Sequence, residues 1–399
     1  MRIGVVGGGI SGLTAAVAAR RLGMEVTVFE QSERRAPVGT GLVLHSNGLR
    51  ALHGLGLLDP LRPKLATFDR SVVELERGGV LSDYDYRSLK IPHNHIASVR
   101  RHELHDHLFE AASSEGAKIL LGRRCTAATP TGSGVALRFA DGAEDEFDAV
   151  VGSDGLSSTV RRTADFHYRK SGLGFAAVCG ISDVPQERHL VREIWGRRGG
   201  FFGLVPLSGN RTYFYCSAPP GGLDRLLSDD FDGWVGAWDS YGPEVQRVVR
   251  SVTDWRLVHY DEIFEVRTRR WFNGRVFAIG DAAHAMAPRL GQGANCAMVD
   301  AVVLVRLLGR AGAAAPDLEA VGNRYQKLRR RSVSIIQMSS RFGDASARWS
   351  SLPGAAVRNA LQRAQDLVGP IKRMDMRIAV GYNRAEDELL APEPAARPA

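Results

Sequence analysis

The chain has few cysteines and no arrangement of them that suits a disulfide or zinc site. The four cysteines, Cys125, Cys179, Cys216 and Cys296, are scattered without a Cys-x-x-Cys pair. Disulfide frameworks need a denser set in a short secreted chain, and structural zinc needs ligands at characteristic spacings. We therefore expect buried free thiols, a reducing compartment and no metal site.

Long apolar runs are also absent. No stretch approaches the about 18 uncharged apolar residues of a membrane-spanning helix. Gly7, Gly8 and Gly9 interrupt the first apolar run too early for the core of a signal peptide. These absences predict a soluble cytoplasmic protein without a transmembrane segment.

Two hydrolase signatures are missing as well. The sequence has no Gly-x-Ser-x-Gly nucleophile elbow. The run His102-Glu103-Leu104-His105 differs from His-Glu-x-x-His, in which two imidazoles share one helix face and bind zinc. We expect a polar helix face there.

The composition is that of a globular protein. The chain has 399 residues, of which 44% are apolar and 24% charged. Because one hydrophobic core rarely serves more than about 250–300 residues, this length predicts two or three domains. The net charge of +8 favours anionic small molecules, membrane surfaces or nucleic acids as neighbours. The arginine run 329–331 has no regularly spaced stacking aromatics beside it, which disfavours nucleic acid.

The first thirty residues predict one strand–helix–strand unit. Residues 3–6 form an apolar strand, 11–22 an alanine-rich helix and 25–30 a second strand that ends in an acid. The turn between the first strand and the helix carries Gly-x-Gly-x-x-Gly, which is typical of dinucleotide binding in this position.

Each residue of this turn has a physical role in such a site. Gly7 permits the tight turn, Gly9 lets the backbone approach a pyrophosphate, and Gly12 lets helix and strand pack closely. Ser11 lies at the helix start, where unpaired N–H groups face the anion. Glu30 follows Gly12 by eighteen residues, near the about 20 expected for a ribose-binding acid, and repels a 2′-phosphate. We predict that these residues bind the adenosine half of an FAD-like or NAD-like cofactor.

The remaining chain predicts an α/β fold: a Rossmann-like domain, an inserted antiparallel β-sheet and a C-terminal helical segment. Aromatic and β-branched residues with turn signals fill 175–268, and a helical pattern extends over 294–385. Residues 135–139 and 146–151 predict a hairpin. We predict a discontinuous cofactor domain of residues 1–70, 97–174 and 269–385, a substrate-binding sheet domain of 71–96 and 175–268, and a flexible tail of 386–399.

Two further segments pair an apolar strand with an acid–glycine turn. Residues 149–155 read AVVGSDG and precede Ser158 and Arg161, and residues 276–284 read VFAIGDAAH and precede Pro288, Gly291, Gly293 and Asp300. With the N-terminal fingerprint, they resemble the three signatures of class A flavoprotein aromatic hydroxylases, the family similar to p-hydroxybenzoate hydroxylase and salicylate hydroxylase. The resemblance covers nearly the whole chain.

The resemblance implies further contacts with FAD. It assigns Asp281 to the ribityl chain, Pro288 to the face of the isoalloxazine ring, and Gly291, Gly293, Ala294 and Asn295 to the pyrimidine edge. It assigns Arg101, or the adjacent Arg100, to the pyrophosphate. Asp154 is expected to contact FAD and the nicotinamide cofactor and to hold Arg101 or a nearby loop, and Arg161 to be available to phosphate.

The family also implies a reaction. Only one Gly-x-Gly-x-x-Gly is present, so FAD occupies it and NADH or NADPH docks transiently. Reduced flavin and O2 then give a flavin C4a-hydroperoxide, which hydroxylates or epoxidises an aromatic or polycyclic small molecule. The protein supplies orientation and a dry pocket.

The substrate pocket is expected between the flavin and the inserted sheet. Candidate catalytic residues are His45 as a base near neutral pH, and Tyr213 and Tyr215, which share one strand face and can bond a substrate hydroxyl. Ordinary packing remains open for all three. The family shares no single base.

Three alternatives have different functions. A halogenase is disfavoured because residues 201–206, FFGLVP, lack the two tryptophans of the halogenase motif. A prenyl-chain reductase or cyclase of similar fold remains open. A flavin-binding sensor would bind FAD without substrate-stimulated NAD(P)H oxidation.

Overall fold

A computed structural model describes residues 1–34, 40–197, 199–217, 231–312 and 317–392. The largest apolar core surrounds a parallel sheet and includes Val5, Val28, Val151 and Phe277, all buried. Three smaller cores lie against a second sheet: one around Phe202, one beneath the C-terminal helices, and one around Trp195 and Phe201.

Strands occur between Arg2 and Ala278 in the described part of the chain. They are β1 (Arg2–Val6), β2 (Glu25–Phe29), β3 (Gly41–Leu44), β4 (Ala66–Phe68), β5 (Arg70–Leu75), β6 (Val80–Asp85), β7 (Ile96–Arg100), β8 (Lys118–Leu120), β9 (Cys125–Pro130), β10 (Val135–Phe139), β11 (Glu144–Phe147), β12 (Ala149–Gly152), β13 (Tyr168–Ser182), β14 (Val191–Trp195), β15 (Phe201–Leu207), β16 (Arg211–Ser217), β17 (Val258–Thr268), β18 (Phe272–Asn273) and β19 (Val276–Ala278). The helices are α1 (Ile10–Arg21), α2 (Ser46–Gly54), α3 (Leu58–Leu61), α4 (Arg101–Ser114), α5 (Thr159–Thr163), α6 (Phe231–Gly236), α7 (Pro243–Arg250), α8 (Asp281–His284), α9 (Gly293–Arg310), α10 (Leu318–Ala347), α11 (Leu352–Leu367), α12 (Gly369–Ala379) and α13 (Asp387–Leu390).

The first sheet is built around the predicted strand–helix–strand unit. Its order is β18–β19–β12–β1–β2–β8, and the pairs β19–β12, β12–β1, β1–β2 and β2–β8 are parallel. Four of the five residues of β1 are buried, as expected for a parallel strand covered on both faces. The Rossmann-like α/β fold is therefore confirmed.

The predicted hairpin is wrong in its second strand. Val135–Phe139 pairs with Glu144–Phe147, but Ala149–Gly152 leaves the hairpin and lies beside β1, with Val151 opposite Val5. Residues 149–152 are buried at every position, which suits the centre of a parallel sheet rather than a half-exposed hairpin. Strands β9–β10–β11 and β3–β7–β4 form two small antiparallel sheets.

The inserted sheet has seven strands in the order β17–β13–β16–β15–β14–β5–β6. β5 and β6, far earlier in the chain, join it through a parallel pairing of β5 with β14. Residues 70–85 therefore share a sheet with residues 191–217. β13 begins at Tyr168 and crosses the predicted boundary at 174/175. The division into domains stays a prediction.

Four helices, α10 to α13, make up the C-terminal segment. The expectation of a flexible tail from residue 386 is wrong for its first part, because Asp387–Leu390 is helical and Glu386, Leu389 and Leu390 are buried. Residues 393–399 lie outside the described residues. Among the described residues, no helix combines the length and the apolar character that crossing a bilayer requires.

Candidate active site

One large cavity, of about 980 Å³, lies between the two main sheets. The carboxyl ends of β1, β12 and β19 meet at one edge of the parallel sheet, and the turns that follow them bring Gly9, Gly155 and Asp281 to the cavity wall. Ligands bind at this edge of open parallel sheets in general. The opposite wall comes from the seven-stranded sheet and the C-terminal helices.

The glycine turn at the start of α1 is shaped by close backbone contacts. Gly7 has φ +105°, and a Cβ atom there would lie 2.4 Å from the carbonyl oxygen of Ser153. A Cβ atom on Gly12 would lie 2.0 Å from the carbonyl oxygen of Gly7. Both glycines are therefore required by the fold itself.

Gly9 differs from these two glycines. It lines the cavity, and a Cβ atom built on it would meet no atom within 4 Å. It is also the N-cap of α1, which has no side-chain cap, so the first amides of the helix remain available to a ligand. Ser11, in the first turn, lines the same space. The turn leaves room for an anion against the helix start.

Glu30 lies beside this turn at the end of β2. Its Oε2 atom accepts from the amide of Gly8 over 2.8 Å, and its Oε1 atom accepts from the amide of Ser32 over 2.8 Å. Each carboxylate oxygen keeps a further lone pair, so the side chain is held in place with acceptor capacity left. Glu30 is thus adjacent to the cavity end that Gly9 forms.

Asp281 enters the cavity from the turn after β19. Gly280 precedes it with φ +57°, and the Gly280 amide donates to Oδ2 of Asp300 over 3.1 Å. The Asp281 side chain lines the cavity and is exposed there, and the loss of water on the side packed against the protein raises its pKa. It presents a short acceptor on a rigid turn, as a ribityl hydroxyl chain requires.

A buried charge network supports that turn from behind. Asp300 accepts from His284 and, through Oδ1, from Nε of Arg329 over 2.7 Å. Arg329 also pairs with Glu386. Arg329 and Glu386 were missed by the sequence analysis, because residues so far apart in the chain carry no local signal of their pairing.

The segment after Pro288 forms the next part of the wall. Pro288, Gly291, Gly293 and Ala294 line the cavity, and a Cβ atom on Gly293 would meet nothing within 4 Å. Asn295, in contrast, is buried, and no atom of it lines the cavity.

Asn295 instead joins this segment to β3. Its Oδ1 atom accepts from the amide of His45 over 3.0 Å, and its Nδ2 group donates to the carbonyl oxygens of Val43 and Gly291 over 2.9 and 2.8 Å. All of these partners belong to the protein backbone. The side chain is a positioning group, and the flavin contact expected for Asn295 stays a prediction.

Arg101 lines the cavity as the first residue of α4, and its amide donates to the carbonyl oxygen of Thr40 over 2.9 Å. Arg100 pairs with Glu103 over 2.8 Å and does not line the cavity. Of the two candidates for the pyrophosphate, the geometry favours Arg101.

Of the two partners expected for Asp154, Arg101 or a nearby loop, the structure has the second. Asp154 accepts at Oδ2 from the amides of Thr159 and Val160, over 2.7 and 3.0 Å, and so holds the start of α5, while its expected contact with FAD stays a prediction. The expectation for Arg161 is wrong. Arg161 is buried and donates to the carbonyl oxygens of Ala282 and Leu156. Its guanidinium joins the turn at Leu156 to the turn at Ala282 and is not available to a phosphate.

The role of His45 as a base stays a prediction. His45 lines the cavity, but burial lowers the pKa of its imidazole to about 4. It is therefore neutral, and does not titrate, near neutral pH.

The two tyrosines lie together on the opposite wall. Tyr213 packs its ring against Gly41, where a Cβ atom would lie 2.3 Å from the ring. Tyr215 donates to Oε2 of Glu193 over 3.2 Å. Burial raises the pKa of both phenols well above the ordinary value, with the charge of Glu193 adding to the effect at Tyr215. Both tyrosines remain protonated hydroxyls at neutral pH.

Three charged residues at this wall were not found from the sequence. Arg289 pairs with Glu193 over 2.5 Å, with both side chains buried, and its guanidinium lies 4.7 Å from the ring centre of Phe201. Asp344 is buried nearby, and burial raises the pKa of its carboxyl to about 7. They come from three distant elements, and only Arg289, next to Pro288, adjoins a motif.

Comparison with known proteins gives a consistent result. A family model described as an FAD binding domain matches residues 1–318. The chain is 30% identical to aurachin C monooxygenase/isomerase of Stigmatella aurantiaca, over 90% of this chain and 93% of that protein. It is 35% identical to 3-amino-4-hydroxybenzoate 2-monooxygenase of Streptomyces cremeus, over 82% and 83%. The fold is similar to Klebsiella pneumoniae HpxO, solved with FAD and uric acid, at a TM-score of 0.82 with 23% identity over 96% and 97% of the two chains.

Proposed function

The chain belongs to the FAD binding domain family of class A flavoprotein hydroxylases and is an FAD-dependent monooxygenase, and from that premise we propose that it uses NAD(P)H and O2 to hydroxylate or epoxidise an aromatic or polycyclic small molecule. The observation that carries the proposal is a single cavity, which extends from Gly9 past Asp281 and Pro288 to Tyr213. A cofactor and a substrate in this cavity would be in contact.

The residues present fit FAD. Gly9 and Gly293 leave open space where a side chain would otherwise stand, and the start of α1 offers uncapped amides to a pyrophosphate. Glu30 has acceptor capacity for the adenosine ribose, and Asp281 for the ribityl chain. When bound, FAD supplies electron transfer and oxygen activation.

NADH or NADPH is proposed as a transient reductant. The sequence carries one dinucleotide fingerprint, and FAD occupies it. A second dinucleotide must therefore dock and leave during each cycle.

The cavity wall opposite the cofactor residues orients the substrate. Trp195, Phe201 and Tyr213 present aromatic surface to a planar ring. The hydroxyls of Tyr213 and Tyr215 keep their protons at neutral pH, so neither acts as a base. Because the Tyr215 hydroxyl already donates to Glu193, Tyr213 is the donor proposed for a substrate. The apolar wall excludes water from the reacting centre, which protects the activated oxygen from unproductive decay.

The cytoplasm is the proposed location. The four cysteines are free thiols, and a reducing compartment preserves that state.

The decisive experiment uses the purified flavoprotein and a panel of phenols, quinolones and purines. NADH and NADPH oxidation, oxygen uptake and product mass are measured with isotopically labelled dioxygen. We expect one ligand class to stimulate reductant oxidation and to gain one labelled oxygen atom. Reduction of a substrate double bond without label would instead indicate a reductase of similar fold, and peroxide alone with every ligand would count against the proposal.

A further inference from the structure

The C-terminal helices have an unusual concentration of exposed apolar side chains. Ten of the fourteen large apolar side chains exposed in the described residues lie between residues 338 and 374. We call these ten the outer apolar face: Met338, Phe342, Trp349, Leu352, Val357, Leu361, Leu367, Val368, Ile371 and Met374. Exposed apolar side chains concentrated in one segment of a folded protein indicate an interaction site.

Helix α11 is polar on the side that faces the protein. On α11, Gln362 donates to Ser82 and to the hydroxyl of Tyr84, over 2.8 and 2.9 Å. Arg358, also on α11, is buried and donates to the carbonyl oxygens of Ala347 and Gly196, over 3.0 Å each. A surface helix ordinarily packs its apolar side inward, and α11 does the reverse.

On α12 the apolar residues follow a helical spacing. Ile371 and Met374 are three residues apart and are 40% and 59% exposed, and Val368, which precedes the helix, is 44% exposed. Residues at this spacing lie on one side of a helix. Met376, on the other side, is buried beneath the helix. As the helix is packed in the structure, the side that carries Ile371 and Met374 therefore faces solvent.

The exposed charges around this face have one sign. Between residues 338 and 377, the exposed charged side chains are Arg341, Arg363, Arg373 and Arg377. The acids in this range are buried or have a partner. Asp344 is buried, Asp366 pairs with Lys372 over 2.8 Å, and Asp375 accepts from Tyr84 over 2.8 Å. Two copies of the chain joined through this face would bring like charges together. An anionic lipid surface offers negative charge to the arginines and an apolar phase to the exposed apolar side chains.

The outer apolar face also adjoins the cavity. Met338 and Phe342 are 56% and 59% exposed and line the cavity as well. The inner side of α11 and α12 contributes Gln365 and Met376 to the cavity wall. A surface bound to this face would lie next to a route into the cavity.

We propose that the outer apolar face binds the surface of an anionic phospholipid membrane as a peripheral contact. The arginines pair with lipid phosphates, and Leu367, Ile371 and Met374 enter the boundary between headgroups and acyl chains. Membrane binding itself does not depend on the proposed reaction. The further idea that an apolar substrate enters the cavity from the lipid does rest on the proposed reaction.

The test measures sedimentation of the full-length flavoprotein with vesicles. One vesicle contains equal parts of phosphatidylglycerol and phosphatidylcholine, and the other contains phosphatidylcholine alone. We expect binding to the anionic vesicle that weakens with salt, and little binding to the neutral one. Equal binding to both vesicles, or none, would overturn the proposal.

Two double variants test the face directly. Ile371→Ser with Met374→Ser removes the apolar contacts, and Arg363→Glu with Arg373→Glu reverses two charges. Each is expected to reduce binding by at least about tenfold. The matched controls are Leu257→Ser and Arg124→Glu, which change exposed residues elsewhere and should bind as the parent does. Retained FAD shows that each variant is folded.

Light scattering after size-exclusion chromatography tests the competing interpretation, in which the outer apolar face binds a second copy of the chain. If the parent is a dimer that both double variants convert to a monomer, and vesicle binding is unchanged, the face is a contact between two copies and the membrane proposal is wrong. None of these measurements requires turnover, so failure of the proposed reaction would be seen separately.

Discussion

Arg329 donates from Nε to Oδ1 of Asp300 over 2.7 Å, and both side chains are sealed from solvent. Asp300 in turn accepts from the Gly280 amide at the turn that carries Asp281, and Arg329 reaches Glu386 near the end of the described chain. The cofactor turn is thus supported by residues from three separate helical elements.

We predict that Arg329→Met destabilises the protein and weakens FAD retention. The variant leaves Asp300 and Glu386 buried without their cation, which costs about 3–5 kcal/mol of the unfolding free energy. Denaturant unfolding and flavin content after gel filtration measure the two effects. Arg330→Met, at the exposed neighbouring position, is the control and should change neither by much. An Arg329→Met protein with parental stability would show that the network is not a support.

Asp281 provides the second prediction. Asp281→Ala and Asp281→Asn should lower FAD affinity by roughly ten- to a hundredfold, because a charge-assisted hydrogen bond contributes about 1.5–3 kcal/mol. Fluorescence titration of the FAD-free protein measures the dissociation constant. Asp69→Ala, on the exposed surface, is the control. Unchanged affinity in both Asp281 variants would refute the ribityl assignment.

Two glycines of the same turn are expected to have different roles: Gly9 in FAD binding and Gly12 in folding. Gly9→Ala adds a methyl group where no protein atom lies within 4 Å, so the FAD-free protein should keep its stability to within about 1 kcal/mol while FAD binds at least about tenfold more weakly. Gly12→Ala places a methyl group 2.0 Å from the Gly7 carbonyl oxygen and should cost about 1–3 kcal/mol even without FAD. The same stability loss in both FAD-free variants would contradict this distinction.

His45 predicts a dependence of stability on pH. Burial lowers the pKa of its imidazole from 6.5 to about 4, so between these values the unfolded chain binds a proton that the folded chain does not. The stability that His45 contributes is present above pH 6.5 and is lost as the pH falls toward about 4. The full loss is about 3 kcal/mol. His45→Gln should lose less stability over this range in denaturant titrations at matched pH, and parallel pH curves for parent and variant would contradict the assignment.

The sequence predicted those parts of the site that are contiguous in the chain. Gly7 to Gly12 and Gly280 to Asp281 each contain a strand end and its turn, so their geometry follows from neighbouring residues. Arg161 was misassigned because its partner, the Ala282 carbonyl oxygen, belongs to another motif. The position of a side chain between two turns depends on how the strands are ordered in the sheet.

The substrate wall shows the same limit more strongly. Glu193 is on β14, Arg289 follows Pro288, and Asp344 is near the end of α10, and nothing in their local sequence indicates that they meet. The buried C-terminal turn at Glu386 was missed for the same reason, because its partner Arg329 is 57 residues earlier.

Asp344 gives the last prediction, with a sign opposite to that of His45. Burial raises the pKa of its carboxyl from 3.8 to about 7, so between these values the folded protein keeps a proton that the unfolded chain releases. The stability tied to this proton is fully present below pH 3.8 and is lost as the pH rises through about 7. Asp344→Asn keeps the shape of the side chain without an ionisation, so its stability relative to the parent should grow by up to about 4 kcal/mol across this range. Arg289 opposes the shift and Glu193 adds to it, so Glu193→Gln should lower the Asp344 pKa. Carboxyl titration by NMR in the parent and in Glu193→Gln measures that change, and an Asp344 pKa near 3.8 in the parent would exclude a buried, protonated carboxyl at the cavity wall.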